Sequence, residues 1–207
     1  MPSLAKLLVT SGVSYRLESL TLTSFAITDK ACVTLGTAMQ QSSFPCIRKF
    51  LFNTPSSYTV MSKTFMKTIQ VESGGLEALL LGLVCCPRLE ELNLAGLVFN
   101  FDPTPSRNIV ITKAIWTGTL IALLPNLLKV VLSGPFLEQM LLEHGGRILG
   151  SATRLRSLSL ELNTDDLSRA LCSLRAAMAP MTSLRRVRVI VTHVEEAGRI
   201  ITRPILV

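Results

Sequence analysis

One pattern of apolar positions recurs along the chain: apolar, two others, apolar, one other, apolar. It occurs at Leu17-Leu20-Leu22, Ile47-Phe50-Phe52, Leu89-Leu92-Leu94, Leu127-Val130-Leu132, Leu155-Leu158-Leu160 and Leu184-Val187-Val189. Successive starts lie 30, 42, 38, 28 and 29 residues apart. The last two positions of each triplet alternate with period two, which predicts a strand with one face buried. Between the triplets the period changes to that of a helix. Ala31, Leu35, Ala38 and Met39 mark one face after Thr28 or Asp29 as N-cap, and Leu167, Ala170, Leu171, Leu174 and Met178 mark another. Asp165 and Asp166 precede that second face, where they favour the helix dipole, and Pro180 stops it. "GGLEALLLGLVCCP" and "GTLIALLP" supply two more helices, ended by Pro87 and Pro125. Strand then helix, repeated in register, predicts an α/β fold in which stacked units share a core. The expected architecture is a curved solenoid of about six irregular repeats, with parallel strands on the concave face and helices on the convex face. It forms a single domain over residues 1–207, with insertions at about 53–75 and 98–118.

The stretch "CCPRLEELNLAG", residues 85–96, tests whether cysteine here means chemistry. Phe44-Pro45-Cys46 before Ile47, and Leu124-Pro125 before Leu127, stand in equivalent places. Cys85 and Cys86 are therefore read as a joint between helix and strand, where a cysteine acts as a small buried hydrophobe. With its triplets, this stretch resembles the ribonuclease-inhibitor type of leucine-rich repeat and the cysteine-containing repeats of F-box-associated proteins. The resemblance spans roughly residues 4 to 200. It implies the solenoid fold and a binding role, without naming a partner. Repeats of this family usually place asparagine or cysteine after the strand, whereas Phe25, Leu97 and Pro135 stand near that position here. Irregular turns are the expected consequence.

No catalytic or metal motif accompanies the repeat. Zinc sites draw on paired ligands at short spacing; here the cysteines are adjacent or scattered, and His144 and His193 lie far apart. There is no Gly-x-Ser-x-Gly elbow and no Gly-x4-Gly-Lys-Ser/Thr loop. Gly74-Gly75 and Gly145-Gly146 are read as helix punctuation. Asp165-Asp166 and Glu195-Glu196 are read as solvated helix-start carboxylates. The expectation is a protein that is not an enzyme, with no catalytic residue, metal, cofactor or small-molecule substrate. No apolar run reaches the roughly 18 residues of a membrane span; the strongest, 78–86, follows Glu77 directly. Five cysteines with no Asn-x-Ser/Thr sequon point to a reducing intracellular compartment. The cytoplasm is the first choice, with mitochondrial or nuclear placement as alternatives. A mitochondrial presequence would account for Lys6 and Arg16 preceding the first acidic residue, Glu18, and an ordinary helix face at Leu4, Leu7 and Leu8 would not need one.

Hydrophobic residues make up 48% and charged residues 17%, an oily balance for a free monomer. Repeat arrays need polar capping units, and a chain ending in "RPILV" suggests ends covered by neighbours. The net charge of +7 is uneven. Residues 1–146 carry 11 basic and 9 acidic side chains, and residues 147–207 carry 10 and 5, all ten of those basic residues being arginine. Guanidinium groups bind carboxylates and phosphates through two donors at once, so the C-terminal third is where an acidic partner would dock.

Strand alternation turns the residues between the leucines onto the concave face. The candidate partner-binding residues there are Lys49, Glu91, Asn93, Lys129, Arg156, Arg186 and Arg188. Phe99, Phe101 and Trp116, in the second insertion, form a second candidate set, because aromatic side chains favour interface cores. The functional expectation is a non-catalytic scaffold that binds protein, as a subunit of a larger assembly. One alternative is a ribonucleoprotein accessory subunit whose C-terminal arginines contact RNA phosphates. Another is an adaptor that captures a substrate, although no F-box-like segment is present.

Overall fold

The computed structural model describes residues 12–23, 29–41, 44–53, 73–95, 107–133, 135–163, 167–194 and 200–206. Each apolar triplet enters a strand: β1 (Ser19–Thr23), β2 (Lys49–Asn53), β3 (Glu91–Asn93), β4 (Lys129–Ser133), β5 (Ser157–Asn163) and β6 (Arg186–Val194). Helices fall between them: α1 (Asp29–Gln40), α2 (Ser73–Val84), α3 (Arg107–Leu123), α4 (Pro135–Gly150) and α5 (Leu167–Met178). The strands form one open sheet in chain order, and β1 to β6 are parallel. A seventh strand, β7 (Ile200–Leu206), returns antiparallel along β6. Among the described residues this is an α/β fold with a solenoid-like order, each strand beside its sequence neighbour.

The register places equivalent residues side by side. Leu20, Phe50, Leu92, Val130, Leu158 and Val187 are successive partners across the sheet. All are buried except Val187, which is half-buried and packs on the same core. Leu132, Leu160 and Val189 form part of a second buried row. The helices complete this core with Cys32, Leu35 and Met39 of α1, Leu79, Leu80 and Leu83 of α2, and Leu120 and Leu123 of α3. Met140, Leu141, Ile148 and Leu149 of α4 and Leu174 of α5 join them.

The joints repeat to the level of single hydrogen bonds. A buried residue begins each turn, and its carbonyl accepts from the N–H three residues on: Phe44 from Ile47, Cys86 from Leu89, Leu124 from Leu127, Ala152 from Leu155 and Met181 from Leu184. The carbonyl just before or entering each strand then accepts from two consecutive N–H groups of the next unit. Glu18 accepts from Arg48 and Lys49, Arg48 from Glu90 and Glu91, and Glu90 from Leu128 and Lys129. Leu128 accepts from Arg156 and Ser157, and Arg156 from Arg185 and Arg186. Phenylalanine, cysteine, leucine, alanine and methionine fill one position, so what the position selects is apolar volume.

The expectations about glycine, proline and the insertions need correction. Gly145 and Gly146 do not end a helix; they lie inside α4. A Cβ at Gly145 would come within 3.2 Å of the Ala177 Cβ, so the residue permits close packing of α4 on α5. Pro135 is not a degraded strand turn but the first residue of α4, where its missing N–H costs no helical bond. Helix α3 starts at Arg107, so the last twelve residues of the expected 98–118 insertion belong to the helical layer. At the other segment, Asn53 closes β2 and Ser73 to Gly75 open α2; residues 54–72 lie outside the described residues. Most of "RPILV" lies in β7, which covers the edge of β6 from within the chain rather than through a neighbour. Asp165, Asp166, Glu195 and Glu196 lie outside the described residues.

Candidate functional site

Opposite the leucines the sheet presents two rows of side chains in register. The first is Ser19, Lys49, Glu91, Lys129, Ser157 and Arg186; the second is Thr21, Leu51, Asn93, Val131, Ser159 and Arg188. All twelve are exposed or half-buried, against the buried rows on the other face. The alternation that buries the leucines thus brings Lys49, Glu91, Asn93, Lys129, Arg186 and Arg188 onto one surface, as expected. Arg156 differs. It precedes β5 and stands in register with Arg185, not with Arg186 or Arg188, because Ser157 is the partner of Arg186. It belongs to a rim row, Arg48, Glu90, Leu128, Arg156 and Arg185, whose backbones are joined by the shared-carbonyl ladder. Arg48 and Glu90 were not among the expected face residues. Their signal was a charged residue at the same place in several units, immediately before the strand.

Neighbouring strands neutralise one another at one end of this surface. Lys49 Nζ lies 2.7 Å from Glu91 Oε1, and Lys129 Nζ lies 3.9 Å from Glu91 Oε2, so one carboxylate on β3 serves a lysine on either side. On the rim, Arg48 donates to Glu90 Oε1 at 3.0 Å. That hydrogen bond, and then the charge of Glu90, raise the Arg48 pKa above its ordinary value. Such exposed pairs add little stability. Their consequence here is that Lys49, Glu91 and Arg48 already have partners.

The other end has no such relief. Arg156 and Arg185 sit side by side on the rim, and Arg186 and Arg188 follow on β6, all four exposed. Among the described residues none of them pairs with a carboxylate. Ser157 and Ser159, both half-buried, lie between them and β4. The two rows therefore carry opposite charges in contact from β2 to β4 and only basic charge on β6, while β5 adds Glu161 two residues beyond Ser159, in register with Ile190.

The remaining candidates are placed differently. The Asn93 Oδ1 accepts from the Ala95 N–H at 2.9 Å, closing the turn after β3. Trp116 is no loop anchor: it lies within α3, is 8% exposed and belongs to the core. With Leu120 and Leu123 it falls four and seven residues apart on one helical face. Phe99 and Phe101 lie outside the described residues.

Among the described residues no three His, Cys, Asp or Glu side chains gather as a metal site would require. All five cysteines are free. Cys86 is buried and Cys85 exposed, and the Cys86 Sγ donates to the Gly82 carbonyl at 3.5 Å. No helix among the described residues is long and apolar enough to cross a membrane. No protein-family model matches the chain, and no curated protein matches it at a significant level.

Proposed function

We propose that this chain is a leucine-rich repeat scaffold of the ribonuclease-inhibitor type, without catalytic activity, that binds protein through the open face of its sheet as a subunit of a larger assembly. The observation that carries the reading is the five-fold recurrence of one joint, a buried turn residue followed by a carbonyl shared between two N–H groups. Such a joint keeps successive strands in register, and register is what spreads twelve side chains into one continuous binding surface. The concave curvature and the repeat class rest on the resemblance of the triplets and of the "CPRLEELNLAG" stretch. A protein partner fits the absence of any aromatic side chain from both rows, since RNA-binding surfaces commonly stack bases on aromatics.

The test is size and composition in native extract. The tagged chain should elute well above its own 22.6 kDa, with at least one other protein in stoichiometric amount. Elution as a lone monomer, together with turnover abolished by one substitution on the open face, would replace the scaffold with an enzyme.

A further inference from the structure

We propose that the arginine end of the open face is a docking site for an acidic polypeptide segment, one that carries Asp or Glu at alternate positions. This deepens the scaffold reading and rests on it. Successive strand residues on one face lie roughly 6.6 Å apart, and adjacent strands roughly 4.8 Å. Arg186 and Arg188 have the first spacing along β6, and Arg156 and Arg185 the second across the rim. An extended segment laid along β6 presents alternate side chains at the same interval as Arg186 and Arg188. Each guanidinium can hold a carboxylate by two parallel N–H donors, an arrangement a lysine cannot reproduce. Ser157 and Ser159, in register with Arg186 and Arg188, add hydroxyl donors beside each position.

Like charges this close repel, and the described residues contain no carboxylate that pairs with them. An incoming acidic segment removes that repulsion as it binds, which favours this end over the Lys49–Glu91–Lys129 triad, where Glu91 already offsets one of the two lysine charges. The same pattern disfavours nucleic acid. A phosphate chain leaving the arginines toward β3 would meet Glu90 and Glu91, and neither row offers a ring for a base to stack on.

The test uses the full chain and two labelled probes followed by fluorescence anisotropy, a short peptide of alternating Glu and Ser and an RNA oligonucleotide of equal nominal charge. The peptide should bind and weaken as salt rises. Arg186→Glu with Arg188→Glu should weaken it by about tenfold or more, the equivalent of roughly 1.4 kcal/mol. Lys30→Glu, at an exposed position on α1 and off the open face of the sheet, should leave it within about twofold. The double variant should melt at the parental temperature or slightly above. Arg186→Gln with Arg188→Gln, which keeps the charge off without adding repulsion, should give a smaller loss in the same direction. RNA bound more tightly than the peptide, and lost in the same variants, would assign the site to nucleic acid and overturn the proposal. So would peptide binding that ignores Arg186 and Arg188, or no binding of either probe. If the variant still co-elutes with its native partner, the scaffold reading stands and this site falls. If the parent is alone in native extract, the scaffold reading falls as well.

Discussion

Cys86 occupies the place held by Phe44, Leu124, Ala152 and Met181 in the other units, and its chemistry follows from that place. Burial, reinforced by the neighbouring Cys85, pushes its thiol up to about 12 from an ordinary 9.0. A thiolate forms with difficulty there, so the residue is a poor nucleophile and a poor metal ligand. The sign of the linkage is definite. Below pH 9 the thiol is protonated in both folded and unfolded chains, and its contribution to stability is fully present. Between 9 and 12 the unfolded chain loses the proton while the folded chain keeps it, so stability falls as pH rises. Urea melts across that range should therefore decline more steeply for the parent than for Cys86→Ala; parallel curves would mean the thiol ionises freely in the fold. Thiol labelling offers a second check. Cys85 and Cys172, both exposed, should react in the native protein, and Cys86 and Cys32 only once it unfolds. The structural role of Cys86 was legible from Pro87 and Leu89 beside it. The exposure of Cys85 was not, because the two residues differ only in where the last helical turn leaves them.

Helix packing separates glycines that the sequence presents alike. Gly36 of α1 faces α2, where a Cβ would collide with the Ala78 carbonyl oxygen, and a Cβ on Gly82 would meet the Gly36 oxygen at 2.5 Å. Both obstacles are backbone and cannot turn aside. Gly118, in α3, is exposed and has nothing within 4 Å of the same position. Opposite signs follow. Gly82→Ala should destabilise by about 1–3 kcal/mol through overpacking, despite the better helix propensity of alanine. Gly118→Ala should stabilise by about 0.5–1 kcal/mol. Chemical denaturation of the two variants settles it, and equal effects would mean α1 and α2 are not in backbone contact. Glycine is also why the sequence marks no apolar face for α4, since Gly145-Gly146 interrupts the apolar period where Gly145 packs against Ala177. The six parallel strands were legible because period-two alternation survives every substitution within the triplets. Strand β7 was not, since "IITRPIL" alternates poorly and contains Pro204. Nor were the Lys49–Glu91–Lys129 contacts, which exist only once β2, β3 and β4 are neighbours.

Across the whole molecule, order in space follows order in sequence. Each strand bonds to the one before and the one after, and each helix packs on the helices next to it in the chain. In such an array stability is close to a sum of unit terms and nearest-neighbour terms, so damage to one unit should spread unevenly. Leu158 is fully buried on β5 between Val130 and Val187, and Phe50 is fully buried on β2 between Leu20 and Leu92. Truncating either to alanine should cost about 2–5 kcal/mol by leaving a cavity. The cost should appear in different places. Hydrogen exchange should show Leu158→Ala losing protection chiefly in β4, β5 and β6 and in α4 and α5, while β1 and α1 keep theirs. Phe50→Ala should reverse the pattern, loosening β1, β2, α1 and α2 and sparing β6 and β7. That outcome would also explain how the arginine end could accept a partner without disturbing the Lys49–Glu91 pair on β2 and β3. Uniform loss of protection in both variants would mean that one cooperative core, rather than stacked units, holds the sheet together.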